Sequence, residues 1–136
     1  AVEKGYPSPI QPNKAACDKD YNAALEFLIS EIDHMALCAG SHNEESALLL
    51  TQIIEKHGVQ KNDKRVYFAQ LLGMSDHISY NLSKEGYNVA KYVPYGPIKE
   101  VMPYLLRRAD ENTSVAGQTG RELSLIIKER KRRKSK

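Results

Sequence analysis

The sequence predicts a parallel α/β architecture, and three observations carry that reading. Three short β-rich runs begin near residues 35, 65 and 87, each is followed by a segment of helical periodicity, and the first is a continuous apolar run of the kind found in buried parallel strands. Parallel strands joined by helices build either an open doubly wound sheet or a closed (βα)8 barrel. A barrel takes about 250 residues, so a chain of 136 residues and 15.3 kDa holds only part of one. Such a piece leaves a sheet edge and the apolar sides of several helices without partners.

The elements follow in order. Tyr6-Pro7-Ser8-Pro9-Ile10-Gln11-Pro12 places three prolines in seven residues, which excludes helix and central strand and leaves an extended lead-in. From about Ala15 to Asp33, Ala16, Ala23, Ala24, Phe27, Leu28 and Ile32 recur at helical spacing. Met35–Gly40 reads as the first strand. Glu44–His57, with Leu48, Leu49, Leu50, Ile53 and Ile54, is the clearest helix and is closed by Gly58. Arg65–Leu71 is the second strand, and Asp76–Lys84 a short helix ended by Gly86. Tyr87–Tyr92 is the third strand. Pro97 sits at the favoured first helical position of a helix running to about Asn112, kinked at Pro103. A Gly/Thr/Ser stretch from Asn112 to Gly120 reads as a linker before a last amphipathic helix. The domain division expected is therefore 1–112, then 113–136 as linker, terminal helix and basic tail.

Composition sets outer bounds. With 41% hydrophobic and 27% charged residues the chain is not wholly disordered, and no apolar run approaches the roughly 20 residues that span a bilayer. The first residues, Ala1 to Gly5, lack both an initiator Met and the order of a secretory signal, so a processed or truncated N-terminus is expected. Lys128, Arg130, Lys131, Arg132, Arg133, Lys134 and Lys136 concentrate the positive charge, and the rest of the chain carries a net −3. Such a tail is a solvated end or a contact for anionic lipid. The body offers no basic stripe, so nucleic acid is not an expected partner. Cys17 and Cys38 form no CxxC pair, which points to a reducing compartment, and Cys38 is expected to pack as a small buried hydrophobe. Histidines at 34, 42, 57 and 77 show no metal-ligand spacing, so no metal is expected.

Sites in parallel α/β proteins gather at the carboxyl ends of strands. At the first exit, Ser41 and Glu44 have capping-box spacing. The same geometry aims amide groups and a positive dipole end at the mouth of the sheet, a seat for phosphate, with His42 beside it as an additional donor. At the second exit, Gln70 offers an amide that reads the edge of a heterocycle, and Gly73 is either a turn glycine or a point of close approach to a ligand. Beyond the third exit, Tyr104, Arg107, Arg108 and Glu111 share one side of a helix. They form either an exposed Arg–Glu pair or a carboxylate clamp in which Glu111 orients one guanidinium fork.

Taken together, Gly5-Tyr6-Pro7, Ser41-His42-Asn43-Glu44, Tyr67-Phe68-Ala69-Gln70-Leu71-Leu72-Gly73-Met74, Lys91 to Pro97, Tyr104 to Arg108 and Glu111-Asn112 resemble, in order, the C-terminal part of the proline dehydrogenase family. The resemblance covers about Gly5 to Asn112 and is nearest the branch with the mitochondrial enzymes. It implies the last three βα units, plus the helix before them, of a (βα)8 barrel that is incomplete in this chain.

It further implies FAD-dependent oxidation of L-proline to 1-pyrroline-5-carboxylate in proline catabolism, with electrons passing to a quinone at a membrane surface. Arg107 and Arg108 would bind the proline carboxylate, Tyr104 and Tyr92 would wall the pyrrolidine ring, and Glu111 would pair within the arginine cluster. Ser41, His42 and Asn43 would contact FAD. Many family members carry Gln directly after the strand's Phe, whereas Ala69 stands there and Gln70 follows, an offset that turns Gln70 toward the other face of the strand. The family's lysine, aspartate and Arg-Gly-Ala-Tyr motif have no counterpart here, so the isolated piece is expected to be inactive. The remaining half of the enzyme or a second copy is its expected partner. The location implied is cytoplasmic or membrane-peripheral in a bacterium, mitochondrial in a eukaryote. The competing reading is a non-catalytic α/β fragment acting through self-association or its basic tail.

Overall fold

Asn13 opens the first helix by accepting the Ala16 amide on its side-chain oxygen at 2.9 Å, so α1 spans Lys14–Ser30. The computed structural model describes the backbone of residues 1–114 and 116–134, and side chains at 1–110, 123–124, 126–128 and 130–134. After α1 come β1 (Leu37–Gly40), α2 (Glu44–Lys56), β2 (Val66–Leu71), α3 (Asp76–Lys84), β3 (Val89–Tyr92), α4 (Ile98–Ser114) and α5 (Ala116–Lys134). The chain divides into two compact units, Ala1–Val93 and Pro94–Lys136. That division falls earlier than the composition change near residue 112. The Gly/Thr/Ser stretch expected as a linker is helical on both sides of residue 115, because Gly and Thr lower helix propensity without forbidding a helix.

In the first unit the strands pair in parallel in the order β1-β2-β3, with Leu37 opposite Val66, Phe68 opposite Val89 and Leu71 opposite Tyr92. Consecutive order without reversal is the arrangement of successive units in a barrel wall. Leu37, Ala39, Val66, Phe68 and Gln70 are buried, while the intervening residues are more exposed. The apolar members of this set pack with Leu25 and Ile29 of α1, Leu50, Ile53 and Ile54 of α2, and Ile78 and Leu82 of α3 in one cluster. All three helices thus cover one face of the sheet, and within this unit no described helix covers the other, open face. A doubly wound sheet would be covered on both faces. The architecture is therefore that of an incomplete (βα)8 barrel.

The open face corrects the expectation for Cys38. Strand side chains alternate, so placing Leu37 and Ala39 in the core turns Cys38 outward, where its free thiol is exposed. Smaller differences lie at element ends. β1 and β3 each begin two residues later than expected, α1 begins one residue and ends three residues earlier, and Pro97 precedes α4, its carbonyl accepting the Glu100 and Val101 amides. Pro103 lies inside α4 without interrupting it.

The amino-terminal end of the sheet is closed by Arg65. Its guanidinium donates to the Ile32 carbonyl at 3.0 Å, to Asp33 at 3.2 Å and to Asp63 at 2.8 Å, tying the end of α1 to the start of β2. Hydrogen bonds from the Arg65 side chain and amide hold the Asp63 carboxyl down to about 2. A carboxyl lowered in the folded state contributes stability that is complete above its unfolded pKa of about 4 and is lost as pH falls toward 2. Wild-type chain should therefore lose melting temperature between about pH 4 and pH 2 more steeply than an Asp63→Asn variant. Parallel curves in that window would remove Arg65–Asp63 from the acid response.

Candidate functional site

The exit of β1 is organised by Asn43 rather than by Ser41. Asn43 has extended backbone, and its side-chain oxygen accepts the Glu45 amide at 2.9 Å and the Ser46 amide at 3.4 Å, which makes it the cap of α2. Ser41 Oγ accepts the Asn43 amide at 3.1 Å, two residues too early to cap the helix. The expected Ser41–Glu44 capping box is not formed, and the Glu44 carboxylate instead meets His77 Nε2 at 2.5 Å. Two acids in the first turn and three amides already bonded to side chains make this helix end a poor seat for a pyrophosphate. Half-buried Ser41, His42 and Asn43 suit an uncharged polar group such as a sugar or a heterocycle edge.

At the exit of β2, Gln70 is 3% exposed and points to the helix layer. Its amide nitrogen donates to the Ser41 carbonyl at 3.4 Å and its oxygen accepts from Ser79 Oγ at 2.9 Å. Gln70 therefore supports the first exit from beneath. The position it would need to meet a ligand on the open face is taken by Ala69, the offset already legible in the sequence. Below Ser41 lies a small cavity lined by Tyr21, Ser46, Ala47, Phe68 and Gln70, among others. Burial pushes the Tyr21 phenol above its ordinary pKa, and the neighbouring Ser41 opposes that shift.

The loop after β2 carries two left-handed residues, Gly73 at φ 77° and Ser75 at φ 50°. Ser75 Oγ lies 2.8 Å from His42 Nδ1, linking the first and second exits. Lys91 of β3 adds the third, its ammonium donating to the Met74 carbonyl at 2.7 Å and pairing with Asp76 at 2.9 Å. The register places Lys91 beside Gln70 on the helix side, and Tyr92 beside Leu71 on the open face, where Tyr92 is 54% exposed. Ser75, His77 and Lys91 were not among the candidate site residues read from the sequence. The available signal was their position, each at or just beyond a strand exit, but no spacing rule connects them.

In the second unit, one face of α4 carries the aromatic and cationic residues. The Arg108 guanidinium carbon lies 5.4 Å from the centre of the Tyr104 ring one turn earlier, a cation–π contact that orients the fork. Both residues are half-buried, and the neighbouring Arg107 is exposed. The side chain of Glu111 lies outside the described residues.

Residues 1–121 match the family model for proline dehydrogenase. The chain is 45% identical over 135 residues to bovine (Bos taurus) proline dehydrogenase 1, mitochondrial, covering 97% of this chain and 23% of that protein. It is 41% identical over 135 residues to hydroxyproline dehydrogenase of Xenopus laevis, covering 96% of this chain and 29% of that protein. Among solved structures, proline utilization A from Bdellovibrio bacteriovorus, inactivated by N-propargylglycine, superposes with a TM-score of 0.75 at 31% identity, covering 85% of this chain and 12% of that one. The chain thus spans less than a third of the length of these curated relatives. A match across nine-tenths of the sequence, joined to a barrel-wall order of strands with a laced set of exits, assigns it: the chain belongs to the proline dehydrogenase family.

Proposed function

We propose that the protein carrying this chain oxidises L-proline to 1-pyrroline-5-carboxylate with FAD, passing the electrons to a quinone. The observation that supports this most directly is the Tyr104–Arg108 stack beside Arg107 on α4. Two guanidinium groups on successive helical residues supply forked donors for one small carboxylate. The ring of Tyr104 holds one fork before substrate arrives, which lowers the ordering cost of binding. Tyr104 and the exposed Tyr92 offer aromatic surfaces for the pyrrolidine ring, and Glu111 would orient the arginine pair.

Ser41, His42 and Asn43 would hold a polar, uncharged part of the cofactor, with Gln70 supporting them from the helix side. FAD supplies the two-electron chemistry when bound. The chain's own part is positional: a clamped carboxylate fixes where the reacting C–H bond points, and such orientation lowers barriers by up to about 7–11 kcal/mol.

Relatives named as mitochondrial favour a mitochondrial setting in a eukaryotic source. No helix among the described residues is long and apolar enough to cross a membrane. Contact with a membrane surface would come from the exposed basic end of α5, Lys128, Arg130 and Lys131 to Lys134, which follows exposed Leu123, Ile126 and Ile127.

The test is a quinone-reduction assay on the full-length protein with flavin absorbance recorded on the same sample, alongside flotation with anionic vesicles. Proline-dependent quinone reduction by a yellow, flavin-bearing protein is expected, with salt-sensitive vesicle binding. Flavin that stays oxidised in the presence of L-proline would overturn the activity. Binding to vesicles that is indifferent to salt would overturn the role given to the basic end.

A further inference from the structure

We infer that Ser75 is a positioning residue for His42, holding the imidazole at the β1 exit in the orientation that meets the cofactor. The inference rests on the reading of Ser41–Asn43 as cofactor contacts. Among the described residues Ser75 is the one non-glycine residue at positive φ (50°, with ψ 40°), a conformation that costs an L-residue with a side chain. It also occupies the N-cap position of α3, where a serine hydroxyl ordinarily accepts from the helix's own amides, yet it makes no such bond. The hydroxyl instead lies 2.8 Å from His42 Nδ1, thirty-three residues away in sequence. A residue that takes a disfavoured backbone conformation, does not cap its own helix and hydrogen-bonds a side chain on a distant loop is placed to hold that side chain.

The surroundings make the placement firm. Ser75 is 5% exposed, its carbonyl accepts the Ile78 and Ser79 amides at 3.0 and 3.2 Å, and the preceding Met74 carbonyl is held by Lys91. At the β1 exit, Ser41 and Asn43 direct their side-chain oxygens to backbone amides of the same loop and helix. The His42 side chain instead reaches across to the loop after β2. A hydrogen bond at one ring nitrogen holds the ring plane, and so sets where the other nitrogen points. The β2 exit loop thereby sets a binding group that belongs to the β1 exit.

The experiment is a double-mutant cycle on the full-length holoenzyme with Ser75→Gly and His42→Ala. Glycine accepts the left-handed backbone without strain, which offsets the loss of the small hydroxymethyl side chain, so the melting temperature of the FAD-free protein should stay close to wild type. The FAD dissociation constant of Ser75→Gly should rise about tenfold, the effect of losing one orienting hydrogen bond. In a His42→Ala background the same change should have no effect on FAD affinity. The imidazole nitrogen shifts of His42, read by ¹⁵N NMR, should move on Ser75→Gly in the FAD-free protein. If His42→Ala leaves FAD affinity unchanged, the cofactor reading of His42 fails and the inference falls with it. If His42→Ala weakens FAD but Ser75→Gly does not, or weakens it equally in both backgrounds, the positioning role alone is overturned.

Discussion

Arg108→Ala in the full-length protein should lower kcat/KM for L-proline by about a hundredfold, with most of the loss in KM. A charge-assisted hydrogen bond to a carboxylate contributes about 1.5–3 kcal/mol, and each 1.36 kcal/mol is a factor of ten in rate or affinity. A clamp of the kind proposed would also orient the ring, so kcat should fall as well, though less. Arg108→Lys should recover little of the loss. An ammonium carries the charge but presents neither a planar fork to the carboxylate nor a flat face to the Tyr104 ring, 5.4 Å away. Tyr104→Phe keeps that face and should be mild by comparison, whereas Tyr104→Ala removes it. A cycle between Tyr104→Ala and Arg108→Ala should show coupling, since each residue acts partly through the other. Steady-state kinetics with L-proline decide the matter. An Arg108→Ala enzyme with unaltered KM would show that the substrate's carboxylate is held elsewhere.

What the sequence made legible divides along a physical line. Elements set by periodicity were recoverable: α3 lies at Asp76–Lys84 as the pattern requires, and α2 differs from expectation by one residue at its end. The parallel arrangement followed from strands alternating with helices. Properties that depend on which side of a strand is covered were not recoverable from an apolar run. Cys38 sits between Leu37 and Ala39 in such a run, and a run of small and apolar residues does not say that the sheet has one open face. Gln70 shows the opposite case, because its one-residue offset from the family pattern was visible and the alternation rule gave its direction.

Capping chemistry was legible only as a spacing. Ser41 and Glu44 have the right separation for a capping box, but Asn43 is nearer the helix start and outcompetes them for the free amides. Glu44 is then drawn to His77, thirty-three residues on, which no local rule anticipates. The lacing of the three exits is of the same kind. His42–Ser75 and Lys91–Met74 are contacts that the sheet creates by bringing distant loops side by side. The aromatic–arginine face of α4, by contrast, is an i,i+4 relation, and helical spacing alone places Tyr104 against Arg108.

Phe68→Ala should unfold the isolated chain or bring it to the edge of unfolding, while Tyr67→Ala, one residue away, should leave its stability almost unchanged. Phe68 is 2% exposed on the central strand, packed edge-on against Tyr87 with ring centres 5.5 Å apart and set within the one cluster that joins all three helices to the sheet. Truncating such a ring costs about 3–5 kcal/mol, close to the whole stability of a domain at the lower end of the usual 5–15 kcal/mol. A sheet covered on one face belongs at that lower end. Tyr67 is 39% exposed on the open face, where substitutions ordinarily change stability by about 0.5 kcal/mol or less. Urea unfolding followed by circular dichroism separates the two. Equal losses would mean that the core lies on both sides of β2 and that the face assignment is wrong. The same pair measured in the full-length protein carries a further consequence: if the missing barrel units cover the open face, Tyr67→Ala should cost more there than in the isolated chain, and the increase measures how far they bury this ring.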